Sequence, residues 1–268
     1  MVTIEQFDRA RRLALRLAGI ELLPRHRELL DRRSGELGTG DDGGLDALLG
    51  QVEAGDGPAR RRLLGLLTTK FTGFFRHPRH FDLAAEQALW AVHRRGTARL
   101  WSAATATGEE AYSLAMALIE VFGRDDPPAT ILATDVDADA LETARRGEYG
   151  EACLGGLPPD RRARFGAPSP GSPGRWALAP AVRRLVEFRA FNLIDRDWRV
   201  EAPFDVVLCR NVLMYLETRH RDEVIERIAD RMTPGGLLIL DPAEQPRRAM
   251  ELFQTCERGV FMRGGRKP

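Results

Sequence analysis

Cysteine is scarce in this chain. Cys153, Cys209 and Cys256 stand far apart, odd in number and without a CxxC pair, which argues against a disulfide framework or a zinc site and for a reducing compartment. Lysine is scarcer still: apart from Lys70 and Lys267, every basic side chain is arginine, which we read as base-composition bias rather than function. No run approaches the ~18 uninterrupted apolar residues of a membrane-spanning helix, so membrane insertion is not expected. Neither sign of charge prevails. Forty Lys and Arg against 39 Asp and Glu leave +1, so no global field draws the protein to nucleic acid or anionic lipid, and only local patches could. The N-terminus carries Glu5 and Asp8 in an amphipathic rather than apolar pattern. It is not a secretory signal, and cytoplasmic residence is expected. No internal repeat is visible. Against these absences, 43% hydrophobic and 29% charged residues are ordinary globular values. A length of 268 residues predicts one large domain with an appendage.

Thr3 with Gln6 three positions on forms a capping-box pattern, and Ile4, Phe7, Leu13 and Leu17 follow at helical spacing until Gly19. A Gly- and Asp-rich turn region occupies 38–44, short helices are expected over 45–52 and 60–67, and Pro78 opens another that Gly96 stops. Residues 1–95 therefore read as an all-helical N-terminal domain. From Thr97 short apolar runs alternate with helical patterns, the mark of parallel strands joined by crossover helices. Strands are expected over 98–103, 130–134, 186–191, 204–209 and 237–240, and helices over 108–122, 137–146 and 218–232. The fold class is thus α/β, a doubly wound sheet over 96–268 whose ligand crevice lies beyond the carboxyl ends of the strands. The stretch 147–185, rich in Gly and Pro, breaks the rhythm and reads as an insert.

After the first strand, Ser102-Ala103-Ala104-Thr105-Ala106-Thr107-Gly108-Glu109-Glu110 opens into a helix. Its small side chains let a ligand approach the backbone. It is not GxGxxG, and two acids at a helix N-terminus would repel a pyrophosphate. A ligand with an ammonium or sulfonium group suits them better, unless they only complement the helix dipole. Asp135 ends the second strand, where α/β nucleotide binders hold ribose hydroxyls, although an acid there can also serve as an N-cap. Together these features suggest a positively charged adenosine ligand, and S-adenosylmethionine fits.

Four runs then carry a family resemblance: Thr68-Thr69-Lys70-Phe71-Thr72-Gly73-Phe74-Phe75-Arg76, Leu100-Trp101-Ser102-Ala103-Ala104 through Glu110, Thr134-Asp135-Val136-Asp137, and Phe204 to Tyr215 with Cys209-Arg210-Asn211-Val212 at its centre. In order and spacing they resemble the chemotaxis-receptor glutamate methyltransferases of the CheR type, over roughly residues 60 to 260. The resemblance implies a Rossmann-like class I methyltransferase domain, a small helical N-terminal domain and an inserted small β-subdomain at about 147–185. It implies S-adenosylmethionine as cofactor, S-adenosylhomocysteine as product, no metal, and the cytoplasmic methylated-helix region of chemoreceptors as partner. It places Lys70, Thr72, Arg76 and Ala104 at the cofactor, Glu110 on the methionine ammonium and Asp135 on the ribose. Asn192 and Leu193 would border the adenine, and Asn211 and Val212 would line the cofactor. Arg76 and Tyr215 are the catalytic candidates, with Tyr215 as a buried phenol the plainer alternative. A monomer is expected.

Some features depart from the family pattern. Lys70 stands where many relatives have a polar residue, often Asn, and Asp241-Pro242-Ala243-Glu244 keeps only the final acid of the usual turn. The N-terminal segment is looser than usual, although Arg11, Arg12, Arg16, Arg25 and Arg27 offer a basic face toward a receptor. Nucleic-acid amino-methyltransferases carry an (Asp/Asn)-Pro-Pro-(Tyr/Phe) run that is missing here, so nucleic acid is not an expected substrate. Two alternatives stay open at this point: methylation of another signalling protein, and a catalytically silent S-adenosylmethionine-binding module.

Overall fold

The computed structural model describes residues 1–35, 44–68, 72–245 and 251–264. Among them the helices are α1 (Ile4–Ala18), α2 (Arg27–Ser34), α3 (Gly44–Glu53), α4 (Gly57–Leu67), α5 (Pro78–Arg95), α6 (Glu109–Phe122), α7 (Ala138–Arg146), α8 (Pro159–Phe165), α9 (Pro180–Arg184) and α10 (Thr218–Asp230). The strands are β1 (Ala98–Ser102), β2 (Ala129–Asp135), β3 (Glu148–Gly150), β4 (Gly166–Pro168), β5 (Arg175–Leu178), β6 (Val186–Ala190), β7 (Phe204–Leu208), β8 (Met232–Ile239), β9 (Phe253–Glu257) and β10 (Val260–Arg263). No helix among the described residues is long and apolar enough to cross a membrane.

Seven strands form one sheet in the order β6-β2-β1-β7-β8-β10-β9. Its first five members are parallel, and β10 and β9 join antiparallel. The chain runs outward from β1 through β2 to β6, then returns to β7 on the other side, which puts the switch point between β1 and β7. Both faces are covered, so residues of alternate parity are buried in opposite layers. Leu100, Val206, Leu208 and Ile239 pack toward α5 and α6. Trp101, Val207, Cys209 and Leu238 pack toward α10.

A third apolar cluster, from Val2 to Leu67, holds α1 to α4 together. The capping box of α1 is present, with the Thr3 side chain accepting from Gln6 N–H and the Gln6 side chain accepting from Thr3 N–H. Gly19 ends this helix in the left-handed conformation, at φ 67°. Helix α5 is part of the expected N-terminal unit by periodicity, yet its face of Phe81, Ala84, Ala85, Ala88 and Ala91 is buried with β1 and α6. Its alanines let helix and sheet approach closely. The insert forms a three-stranded antiparallel sheet, β3-β5-β4.

Candidate functional site

The site is built where β1, β2 and β7 end. The turn after β1 is tied down by backbone bonds, Ala103 N–H to the Leu208 carbonyl (2.8 Å) and Thr105 N–H to the Thr134 carbonyl (2.9 Å). Ala106 at φ 48° and Gly108 at φ 95° take left-handed backbone to bring the chain into α6. A Cβ on Gly108 would stand 2.8 Å from the Ala144 methyl, so this position accepts little but glycine.

Asp135 lines the cavity and does not cap a helix. Its Oδ2 accepts from Ala106 N–H (2.8 Å) and its Oδ1 from Asp137 N–H (2.9 Å), while the carboxylate lines the cavity. Burial pushes its pKa above the usual carboxylate value, against these donors. The N-cap of α7 is Asp137 instead, accepting from Asp139 and Ala140 N–H. Asp137 also accepts from the Thr68 hydroxyl (3.1 Å), which ties the helical unit to the rim.

The two acids opening α6 part company. Glu109 is buried outside the cavity, accepts from the Thr107 hydroxyl (2.7 Å), and is shifted upward by desolvation. Glu110 faces the cavity. Its Oε1 accepts from the Ser102 hydroxyl (2.8 Å) and its Oε2 from Arg210 Nη1 (3.0 Å), with Arg210 also donating to the Arg76 carbonyl (2.8 Å). A carboxylate has about four acceptor directions, so Glu110 keeps capacity for a cationic ligand. Arg210 belongs to the Cys209-Arg210-Asn211-Val212 run, in which nothing local distinguishes a buried arginine from an exposed one.

Opposite, Asn192 donates to the Leu17 carbonyl (2.8 Å) and to Asp195 Oδ1 (3.1 Å). Backbone bonds from Glu21 to Tyr215 (2.8 Å) and from Glu217 to Gly19 (2.9 Å) close the helical unit over the crevice. Asn211 sits at φ 57°, which Asn tolerates better than most residues. Its side chain donates to Asp241 Oδ2 (2.7 Å). The buried Glu244 accepts from the N–H groups of Asp241 (3.1 Å), Met214 (3.2 Å) and Asn211 (3.3 Å). The departing turn thus retains its acid as a clamp on the segment after β7.

The result is one cavity of about 250 Å³. Thr72, Arg76, Ala104, Glu110, Asp135, Asn192, Leu193, Asn211, Val212 and Tyr215 all line it, joined by Ala18, Ile20, Leu67 and Thr68 from the helical unit. That last contribution is one the motifs did not foretell. Lys70 lies outside the described residues.

Residues 70–262 match the family described as CheR methyltransferase, SAM binding domain. The chain belongs to the CheR methyltransferase family. Chemotaxis protein methyltransferase 2 of Pseudomonas aeruginosa is 33% identical over 261 residues, covering 97% of this chain and 93% of that one. The chemotaxis protein methyltransferases of Salmonella typhimurium and Escherichia coli are 34% and 33% identical over 264 residues, each covering 96% of this chain and 87% and 88% of theirs. As a CheR methyltransferase the protein uses S-adenosylmethionine, and the cavity fits that group: small side chains at the turn, a half-buried strand-end carboxylate, and a second carboxylate with acceptor capacity left.

Proposed function

We propose that this CheR methyltransferase methylates glutamate carboxylates of a chemoreceptor's cytoplasmic helices, forming protein-glutamate methyl esters. The observation that carries the reading is the convergence of every described candidate residue on one cavity at the switch point of the sheet. Asp135 takes the ribose hydroxyls, Glu110 the ammonium, and Asn192 and Leu193 border the adenine. Thr72, Ala104, Asn211 and Val212 complete the cofactor walls, and Arg76 and Tyr215 face the acceptor. The helical unit of α1 to α4, which roofs the cavity, is the side a receptor helix would meet.

When bound, S-adenosylmethionine supplies an electrophilic methyl group carried on a sulfonium. The protein has no base to supply, because a glutamate side chain with a reference pKa of ~4.3 is already ionised at neutral pH. Its work is positional. Arg76 presents a planar fork that matches a carboxylate and orients it without withdrawing its charge altogether. The apolar walls of Ala18, Ile20, Leu67 and Leu193 exclude water from the reacting pair. Orientation of this kind lowers a barrier by on the order of 7–11 kcal/mol at best.

Calorimetry with S-adenosylhomocysteine tests the cofactor half. Binding in the micromolar range or tighter, lost in Asp135→Ala, is the expected result, and its absence in the wild-type chain would sink the reading. For the acceptor half, Arg76→Ala should lose most methyl transfer to a receptor fragment, scored as alkali-labile methyl ester at saturating acceptor. Unchanged turnover would remove the role given to Arg76.

A further inference from the structure

Arg76 is flanked by two non-glycine residues in the left-handed region, Phe75 at φ 50° and His77 at φ 60°. Backbone of this kind persists only where its surroundings over-determine it. Much of that surrounding comes from the insert. Phe74, buried, sets its ring edge-on against Tyr149 of β3 (4.9 Å) and Trp176 of β5 (6.1 Å). Phe75 lies beneath the guanidinium of Arg161 from α8, 4.0 Å from the ring centre, and Arg161 is itself held by two bonds to Glu120 of α6 (2.9 and 2.8 Å). The tightest approach is backbone against backbone: a Cβ on Gly156 would stand 2.1 Å from the Phe74 carbonyl oxygen.

From the other side, Ser113 of α6 accepts the Phe75 N–H (2.9 Å), and Arg210 donates to the Arg76 carbonyl (2.8 Å). The segment that presents Arg76 is therefore gripped between the insert and the helix that opens at the cofactor cavity. Nothing in this grip depends on a molecule docked on the insert.

We infer that the inserted β-subdomain sets the position of Arg76 and thereby the turnover of the enzyme, with Phe74 and Gly156 as positioning residues. The inference rests on the acceptor role given to Arg76 above. It makes the insert part of the catalytic apparatus in its own right, whatever else it binds.

Two adjacent glycines supply the test. Gly156→Ala must displace the Phe74 carbonyl, whereas a Cβ on Gly155 meets nothing within 4 Å. The full chain is assayed with a purified chemoreceptor cytoplasmic fragment as acceptor. In Gly156→Ala, kcat should fall about tenfold or more while S-adenosylhomocysteine affinity stays within about threefold, since the ribose and ammonium contacts lie on other elements. Gly155→Ala should match wild type in both. Phe74→Leu, which stays apolar but loses the edge-on ring contacts, should show the same split and serves if Gly156→Ala does not fold. Equal turnover in Gly156→Ala, Phe74→Leu and Gly155→Ala would overturn the inference, as would a parallel loss of affinity and turnover. Arg76→Ala runs alongside. If it is inactive while Gly156→Ala and Phe74→Leu turn over normally, only the role of the insert falls; if Arg76→Ala is fully active, the acceptor reading falls first and takes the inference with it.

Discussion

Replacing Arg210 by methionine removes a charge while keeping an unbranched side chain, and so isolates what the buried pair contributes. The guanidinium and the Glu110 carboxylate are 3.0 Å apart, with side-chain exposures of only 2% and 12%. Pairs so enclosed are weak evidence of net stability, but losing one partner leaves the other buried and uncompensated, at a cost of about 3–5 kcal/mol. In Arg210→Met, Glu110 retains only the Ser102 hydroxyl, and the Arg76 carbonyl loses its donor. A loss of about 3–5 kcal/mol is therefore expected, read as a lower urea midpoint at unchanged m, and the melting temperature should fall by roughly 2–4 °C per kcal/mol. Glu110→Gln in the same background removes the stranded charge. The double variant Arg210→Met/Glu110→Gln should then recover about 0.5–3 kcal/mol relative to the sum of the single changes, the range for residues in direct contact. Strict additivity would refute the claim that the two charges compensate each other. An Arg210→Met loss below about 1 kcal/mol would refute the claim that removing Arg210 leaves Glu110 buried and uncompensated.

Two further expectations concern pH. Glu109 is buried with its pKa raised by desolvation, so its ionised form is costlier folded than unfolded. The linked stability is present at low pH and is lost as pH rises through the folded value. Glu109→Gln should accordingly melt higher than wild type at pH 7.5, by about 1–3 °C, and lose that advantage by pH 4; a lower melting temperature at pH 7.5 would contradict it. His80 is the opposite case: burial, with Arg210 and His77 nearby, lowers its pKa to about 4. Its linked stability is present above the unfolded value of ~6.5 and lost as pH falls toward 4, by up to about 3 kcal/mol. His80→Gln should flatten wild-type stability between pH 6.5 and 4, and an unaltered slope there would refute the assignment.

Much of the catalytic layer was legible because it is written in contiguous patterns. The capping box at Thr3 and Gln6, the apolar run of β7, and the small-residue turn after β1 each involve residues a few positions apart, where local geometry decides the outcome. The antiparallel hairpin of β9 and β10 was not legible. Of β9 only Phe253 is buried, so it shows no alternation to find. Helix α5 displayed an apolar face without an address. Whether that face meets other helices or a sheet depends on the neighbour, and its alanines suited the sheet. For Asp135 the sequence left two readings, ribose ligand or N-cap; the structure gives the cap to Asp137 and leaves the Asp135 carboxylate facing the cavity.

By itself, then, the sequence determined the α/β class, the place of the crevice, the CheR resemblance and the cofactor, since all of these rest on short motifs and on periods of two or 3.6 residues. Tertiary structure alone decided which of two adjacent acids enters the cavity, which cation balances it from 100 positions away, and how a glycine of the insert comes to press on the loop that carries Arg76. Those are matters of which surfaces meet. Composition and spacing state that a side chain is charged or small, but the dielectric around it, and the atom it touches, exist only after the chain has packed.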